Sequence, residues 1–205
     1  MNTIELFSGT ASFSKVAWDL GHKTFTTDND PVHNPDLIMD IFDPAFLQSL
    51  PYKPDIIWAS PPCQGFNVAS IGKMWNIDGT PKHDTSRLGL RLLLRTLEII
   101  KILEPTFWFI ENPRGMMRKV PQMANLHKTT VTYCQYGDTR MKPTDIFNNL
   151  ESWEGKMCKN GSDCHTPAPR GSRQGTQGIK GSITRGVIPP ALFHELFKLI
   201  DGKPQ

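Results

Sequence analysis

Apolar residues fall into short blocks along this chain, and their spacing switches between strand-like and helix-like. "TIELFSG" (3–9) is a brief β pattern closed by Gly9. "ASFSKVAWDLGH" (11–22) puts Phe13, Val16, Ala17 and Leu20 on one helical face, with Gly21 as the stop. "KTFTTDND" (23–30) reads as a second strand ending in acids, and "DLIMDIFD" (36–43) as a short third. "PDIIWAS" (54–60) and "TFWFIENP" (106–113) are unbroken apolar runs of the kind buried in parallel sheets. Between them, "SRLGLRLLLRTLEIIKILEP" (86–105) is the strongest helical pattern, ending before Pro105. "TTVTYCQYG" (129–137) and "DIFNNL" (145–150) suit a late antiparallel pair. Residues 153–186 lose periodicity and are rich in Gly, Ser, Lys and Arg. "PPALFHELFKLI" (189–200) closes as a helix with Pro in its first turn.

Strand–helix–strand alternation with buried strands predicts an α/β domain with a mostly parallel sheet and helices on both faces. In such sheets ligands bind at the carboxyl ends of the strands. Gly9, Asp28, Asp40, Cys63 and Glu111 all fall just after apolar strand patterns.

Composition narrows the class. The 205 residues allow one sizeable core, 38% are hydrophobic, and no apolar run reaches membrane-spanning length. The N-terminus enters a strand pattern at once, so no signal peptide is expected and a cytoplasmic location is. In that reducing compartment the four cysteines would be thiols, nucleophiles or metal ligands. The net charge of +3 is uneven: residues 1–113 carry nine Lys/Arg and thirteen Asp/Glu, whereas residues 114–185 carry twelve and five. A basic stretch beside an acidic-leaning core suggests a surface that meets phosphates.

Three segments carry candidate chemistry. "ELFSGTASFSKVA" is a strand, a small-residue turn and a helix, and Asp28 follows at the end of the second strand. That pair suits a nucleoside-type cofactor, the acid accepting from ribose hydroxyls. It also suits a plain surface turn. "SPPCQGF" (60–66) sets Cys63 behind two prolines that stiffen its loop. In "FWFIENP", Glu111 ends an apolar run, where desolvation would raise its pKa and leave it a proton donor; Asn112 adds donors and an acceptor. Singly, the Cys reads as incidental and the Glu as a cap or surface ion partner.

Together and in this order, the "LFSG" turn with its downstream acid, "PPCQ" and "ENP" resemble the DNA cytosine-5 methyltransferase family over roughly residues 3–147 and again 185–200. The resemblance implies a Rossmann-like fold dependent on S-adenosylmethionine. It implies a Cys63 nucleophile that adds to a flipped cytosine, with Glu111 and Asn112 serving the ring. Phe7, Ser8, Gly9, Thr10, Asp28, Asn29, Asp40, Ile41 and Pro61 would hold the cofactor, and Gln64 would meet DNA. "TYCQYGDTRMKP" aligns Arg140 and Lys142 with an Arg-x-Arg pair that holds the base carbonyl or a phosphate; Lys142 lacks the second guanidinium fork. Ala11 stands where a second Gly is usual, and Pro113 where a Val is. "RGVIPPALFHEL" resembles the last family motif, whose helix packs back on the cofactor site. The compact size resembles phage or prophage members, which implies a protective role against restriction.

The remaining cysteines form a second set. Cys134, Cys158 and Cys164 with His165 make a candidate structural zinc site, since "CKNGSDCH" brackets an Asn-Gly turn and its segment has few apolar residues to hold it. Downstream, Arg170, Arg173, Lys180 and Arg185 lie among glycines and suit phosphate contact. The expected organisation is a catalytic domain at 1–147, a small basic recognition element at 148–184 and a C-terminal helix at 185–205. The expected partner is double-stranded, cytosine-containing DNA, with no membrane and no obligate protein partner. The alternatives are the same chemistry on RNA or a free pyrimidine nucleotide, or a DNA-binding protein that retains the fold without turnover.

Overall fold

Ile56–Ala59 form β4, four buried residues in a row. Ile56 and Trp58 join one apolar cluster, while Ile57 and Ala59 join another. A strand apolar on both sides needs cover on both faces, which is the condition of a parallel sheet flanked by helices. The computed structural model, which describes residues 1–68, 71–167 and 181–202, meets that condition. β1 (Asn2–Leu6), β2 (Lys23–Asp28), β3 (Leu37–Ile38), β4 and β5 (Phe107–Pro113) run parallel. β6 (Lys128–Thr132) and β7 (Pro143–Asn148) pair antiparallel, and β7 lies antiparallel against β5. The order across the seven-stranded sheet is β3-β2-β1-β4-β5-β7-β6.

Along the chain the helices are α1 (Ser12–Asp19), the single turn α2 (Ile71–Met74), α3 (Asp84–Leu103), the short α4 (Ser182–Gly186) and α5 (Pro190–Asp201). On one face α1 packs against α5, and Phe13 stacks on both Trp58 and Phe197 at 5.6 and 5.5 Å between centroids. Each such buried ring contributes roughly 1.5–3 kcal/mol relative to exposure. On the other face Leu93, Ile99 and Ile100 of α3 share a cluster with Ile4, Leu6 and Ile110.

Local chemistry sets the helix ends. His83 and Ser86 form a reciprocal cap at the start of α3, and Glu104 leaves it in the left-handed conformation just before Pro105. α1 has no side-chain cap from its own N-cap residue, Ala11. Glu5 of β1 supplies one instead, its carboxylate accepting from the backbone N–H groups of Phe13 (3.4 Å) and Ser14 (2.9 Å). Leu20 departs from the expected helical face: α1 stops at Asp19, Gly21 turns the chain at φ 82°, and Leu20 is left exposed.

The start of the expected recognition element is built into the body of the sheet domain. Leu150 and Trp153 join the core on the α1/α5 side. The Thr132 N–H donates to the Lys156 carbonyl at 3.0 Å, so the chain runs beside β6. Gly155 allows that approach, since a Cβ there would lie 2.6 Å from Val131 Cγ1. Glu195 of α5 accepts from Tyr136 and Trp153 and pairs with Lys156, tying this stretch to the last helix. Among the described residues no helix is long and apolar enough to cross a membrane.

Candidate active site

Cys63 opens a single 3-10 turn, Cys63–Gly65, immediately beyond the carboxyl end of β4. Several contacts fasten that loop. Asn112 Nδ2 donates to the Pro61 carbonyl at 2.9 Å, and the Trp75 indole donates to the Gly65 carbonyl at 2.6 Å. The Met116 N–H donates to the Phe66 carbonyl at 2.7 Å. Two glycines allow the close packing. A Cβ on Gly65 would lie 2.9 Å from the Thr85 carbonyl oxygen, and one on Gly115 would lie 2.1 Å from that of Phe66. Trp75, Gly65 and Gly115 are functional supports that the sequence reading missed, because each acts through a contact remote in sequence.

Glu111 lies inside β5 rather than after it, as the strand continues to Pro113. β7 pairs with this extension, placing Ile146 opposite Glu111 and Asp145 opposite Asn112. Glu111 is buried, and its Oε1 accepts from the Tyr133 hydroxyl at 2.9 Å. Burial, reinforced by the Glu111 charge, holds the Tyr133 phenol well above its ordinary pKa, so it remains a donor. Asn112 Oδ1 is buried without a hydrogen-bond partner among the described residues.

Lys142 completes this cluster. Its ammonium lies 4.5 Å from the centre of the Tyr133 ring and donates to the Arg185 carbonyl at 3.1 Å. Its backbone takes φ 30°, a strained value for a residue with a side chain. Cys63 reaches solvent, yet the protein around it excludes enough water to matter. That desolvation pushes the Cys63 thiol above its ordinary pKa, and the Glu111 charge adds to the effect; Lys142 and Arg185 pull it back. Burial pushes the Lys142 ammonium below its ordinary value, against the attraction of Glu111.

Arg140 is placed differently from the expectation. It is buried, paired with Asp138, and donates to the carbonyls of Thr184, Arg185 and Val187. Its guanidinium clamps the α4 segment to the β6–β7 connection, and contact with a base would require exchanging one of those bonds. Gln64 is exposed beside Cys63. Arg185 lies at the clamp itself, whereas Arg170, Arg173 and Lys180 lie outside the described residues.

A cavity of ≈ 350 Å³ adjoins the cysteine loop at the carboxyl ends of β1, β2 and β3. Of the residues expected at the cofactor, Phe7, Asp28, Asn29, Asp40 and Ile41 line it. Ser8, Gly9, Thr10 and Pro61 do not, and Pro62 takes the place expected of Pro61. Thr27, Met39, Phe42 and the α3 residues Leu88, Arg91 and Leu92 complete the wall; the helical pattern was legible, but which neighbour its face meets was not. Gly9 acts one step back: its N–H donates to Asp28 Oδ2 at 3.0 Å, while Asp28 Oδ1 accepts from the Asp30 N–H. Ser12 Oγ accepts from the Ile188 N–H, so the helix that follows the turn is tied to the approach to α5. α5 backs α1 and does not line the cavity.

The Cys134, Cys158 and Cys164 sulfurs and a ring nitrogen of His165 all lie within 4.8 Å of one another, away from this cavity.

Comparison with known proteins agrees with this arrangement. Residues 1–133 match the family model described as C-5 cytosine-specific DNA methylase. The chain is 31% identical over 218 aligned positions to a protein of Frog virus 3 (isolate Goorha) named as a probable DNA (cytosine-5)-methyltransferase, covering 97% of this chain and 100% of that one. Among solved structures, Entamoeba histolytica methyltransferase EhMeth superposes with a TM-score of 0.54 at 15% identity, over 72% of this chain and 52% of that one. A prophage-encoded E. coli protein described as a candidate DNA modification methyltransferase gives 0.52 at 21% identity, over 72% of this chain and 46% of that one. The chain thus spans about half the length of these solved relatives, and the likeness to them is one of fold. With the family match over well over half of its length and the viral relative aligned along nearly all of it, the chain belongs to the C-5 cytosine-specific DNA methylase family.

Proposed function

We propose that this chain transfers the methyl group of S-adenosylmethionine to carbon 5 of cytosine in DNA, through a covalent adduct at Cys63. The observation that carries this reading is the junction of the two sites: Pro62 lines the cavity, and the next residue is Cys63, whose thiol feels the charges of Glu111 and Lys142.

The cavity fits the cofactor. Its volume lies within the range of small-molecule sites. Asp28 keeps acceptor capacity for ribose hydroxyls beyond its two backbone bonds. Asp40 and Ile41 suit the adenine edge and face, and Phe7 and Pro62 supply apolar wall. Bound there, S-adenosylmethionine supplies an electrophilic methyl group.

The protein's own groups do the rest. The Cys63 thiolate forms a bond to carbon 6 of the ring, and the displaced electron pair makes carbon 5 enamine-like. The Glu111 carboxylate takes up the proton that the Cys63 thiol gives up and passes it to ring nitrogen 3, which offsets the negative charge. Carbon 5 is methylated and then loses its proton to a base. The carbon–sulfur bond breaks, nitrogen 3 returns its proton, and the thiolate is released. Asn112 fixes the Pro61 carbonyl and so the direction of the thiol. Attack in the ring plane requires the cytosine to leave the stack.

Mass-spectrometric nucleoside analysis after incubation with S-adenosylmethionine and duplex DNA tests the reading. It should detect 5-methylcytosine, and Cys63→Ala should abolish it. Methyl transfer only to RNA or to a free nucleotide would reassign the substrate; none to any pyrimidine would reject the reading.

A further inference from the structure

Three thiols and an imidazole from separate stretches meet at one point beside β6. Cys134 lies in the 3-10 turn Tyr133–Tyr136 that follows this strand. Cys158 lies on the stretch beside β6, its N–H donating to Thr132 Oγ1 at 2.8 Å. Cys164 and His165 follow a turn at Gly161. Cys164 Sγ is 3.7 Å from Cys134 Sγ, and His165 Nδ1 is 3.6 Å from the sulfurs of both Cys158 and Cys164. A tetrahedral zinc with ordinary bond lengths separates two thiolates by about 3.8 Å, and a thiolate from an imidazole nitrogen by about 3.6 Å. Those three separations match. Cys134 and Cys158 are nearer, at 3.1 Å, and an ion would part them slightly. That distance is far beyond a sulfur–sulfur bond, and all four cysteines of the chain are free thiols.

Two further observations point to a ligand. The segment has almost no core, since His165 is the only buried residue between Met157 and Pro167. A stretch this poor in apolar contacts needs another source of order. Gln135 Nε2 donates to Cys164 Sγ at 3.3 Å, the outer-shell bond that suits a coordinated thiolate.

We propose that Cys134, Cys158, Cys164 and His165 bind a structural zinc ion that fixes the connection carrying Arg140 and Lys142. The ion would sit at the base of that connection. Cys134 adjoins Tyr133, which holds Glu111, and the Thr166 N–H donates to the Thr139 carbonyl at 2.9 Å on the far side. Binding displaces protons from the three thiols and involves no redox change. The proposal stands on this geometry alone and does not depend on the methylation reading.

The test is metal analysis of full-length protein purified without chelator, followed by cobalt exchange. About one zinc per chain is expected, and the cobalt form should show the intense visible bands of a tetrahedral thiolate-rich site. Cys158→Ser and His165→Ala should each lose most of the metal, while Cys63→Ala should keep all of it. Chelation should lower the thermal midpoint of the wild type and leave that of Cys158→Ser unmoved. Trace metal only in folded protein with freely titrating thiols would overturn the proposal. So would a Cys134–Cys158 disulfide in non-reducing peptide maps, or metal retained in both ligand variants. Because the readout is metal content, zinc without methylation, or methylation without zinc, would separate the two readings.

Discussion

Cys63 sits between opposing charges, and this makes its reactivity a direct probe of its neighbours. Glu111 raises the thiol's pKa beyond the effect of burial, while Lys142 lowers it. Glu111→Gln should therefore speed alkylation of Cys63 by iodoacetamide at fixed pH, yet slow methyl transfer by about 100-fold or more, because the ring proton is lost. Lys142→Met should move the alkylation profile to higher pH, and Lys142→Arg should largely restore it. Profiles unchanged in both Glu111→Gln and Lys142→Met would show that these charges do not reach the thiol. Gly115 tests the loop itself. An added methyl would meet the Phe66 carbonyl at 2.1 Å, whereas one at Gly72 meets nothing within 4 Å. Gly115→Ala should cost roughly 1–3 kcal/mol in denaturant unfolding, as overpacking does, and Gly72→Ala should not.

At the scale of elements, the central strands and the long helices formed where their patterns placed them, because each strand in the sheet's middle is covered on both faces, whereas the strand read at 36–43 shrank to Leu37–Ile38. The β5 run shows the limit. "FWFIENP" reads as a strand ending before Glu111, but β7 pairs with its last residues and carries the carboxylate into the sheet. The Cys-His set was legible from residue type, whereas the Arg140 clamp was not, since its partners are backbone carbonyls some 44–47 residues away. The buried cap at α1 was equally hidden, as Glu5 alternates with Ile4 and Leu6 like any strand residue. Burial raises Glu5 to about 7, despite the hydrogen bonds from Ser14 that favour its charge. Its folded pKa exceeds the unfolded value of 4.5, so its contribution to stability is full below about pH 4.5 and is lost as pH rises towards 7. The swing is on the order of 3 kcal/mol. Glu5→Gln keeps one amide oxygen for the cap and cannot ionise. Relative to wild type, its unfolding midpoint should improve steadily from pH 4.5 to 7. A constant difference across that window would show that Glu5 does not titrate there.

For the whole molecule, the charge divides along the chain as the elements do. The acidic-leaning half builds the cavity at β1, β2 and β3, and the basic stretch begins where β5 hands over to the reversed strands. Residues 150–158 belong to the core and the β6 edge. On the proposed function, the Gly-rich stretch and the exposed rim of the cysteine loop are the candidates for contact with DNA. Replacing Arg170, Arg173 and Lys180 by Ala should flatten the dependence of log affinity on log salt by about 0.9 per lost phosphate contact, read by fluorescence anisotropy. An unchanged slope would place the DNA path elsewhere. The covalent adduct at Cys63 can be trapped by incubation with S-adenosylmethionine and duplex DNA containing 5-fluorocytosine and read by intact-mass analysis. Fluorine at carbon 5 cannot leave as a proton does, so a stable species equal to protein plus methylated DNA is expected, mapped to the Cys63 peptide and absent in Cys63→Ala. Duplex binding without any adduct, or an adduct that survives Cys63→Ala, would contradict it.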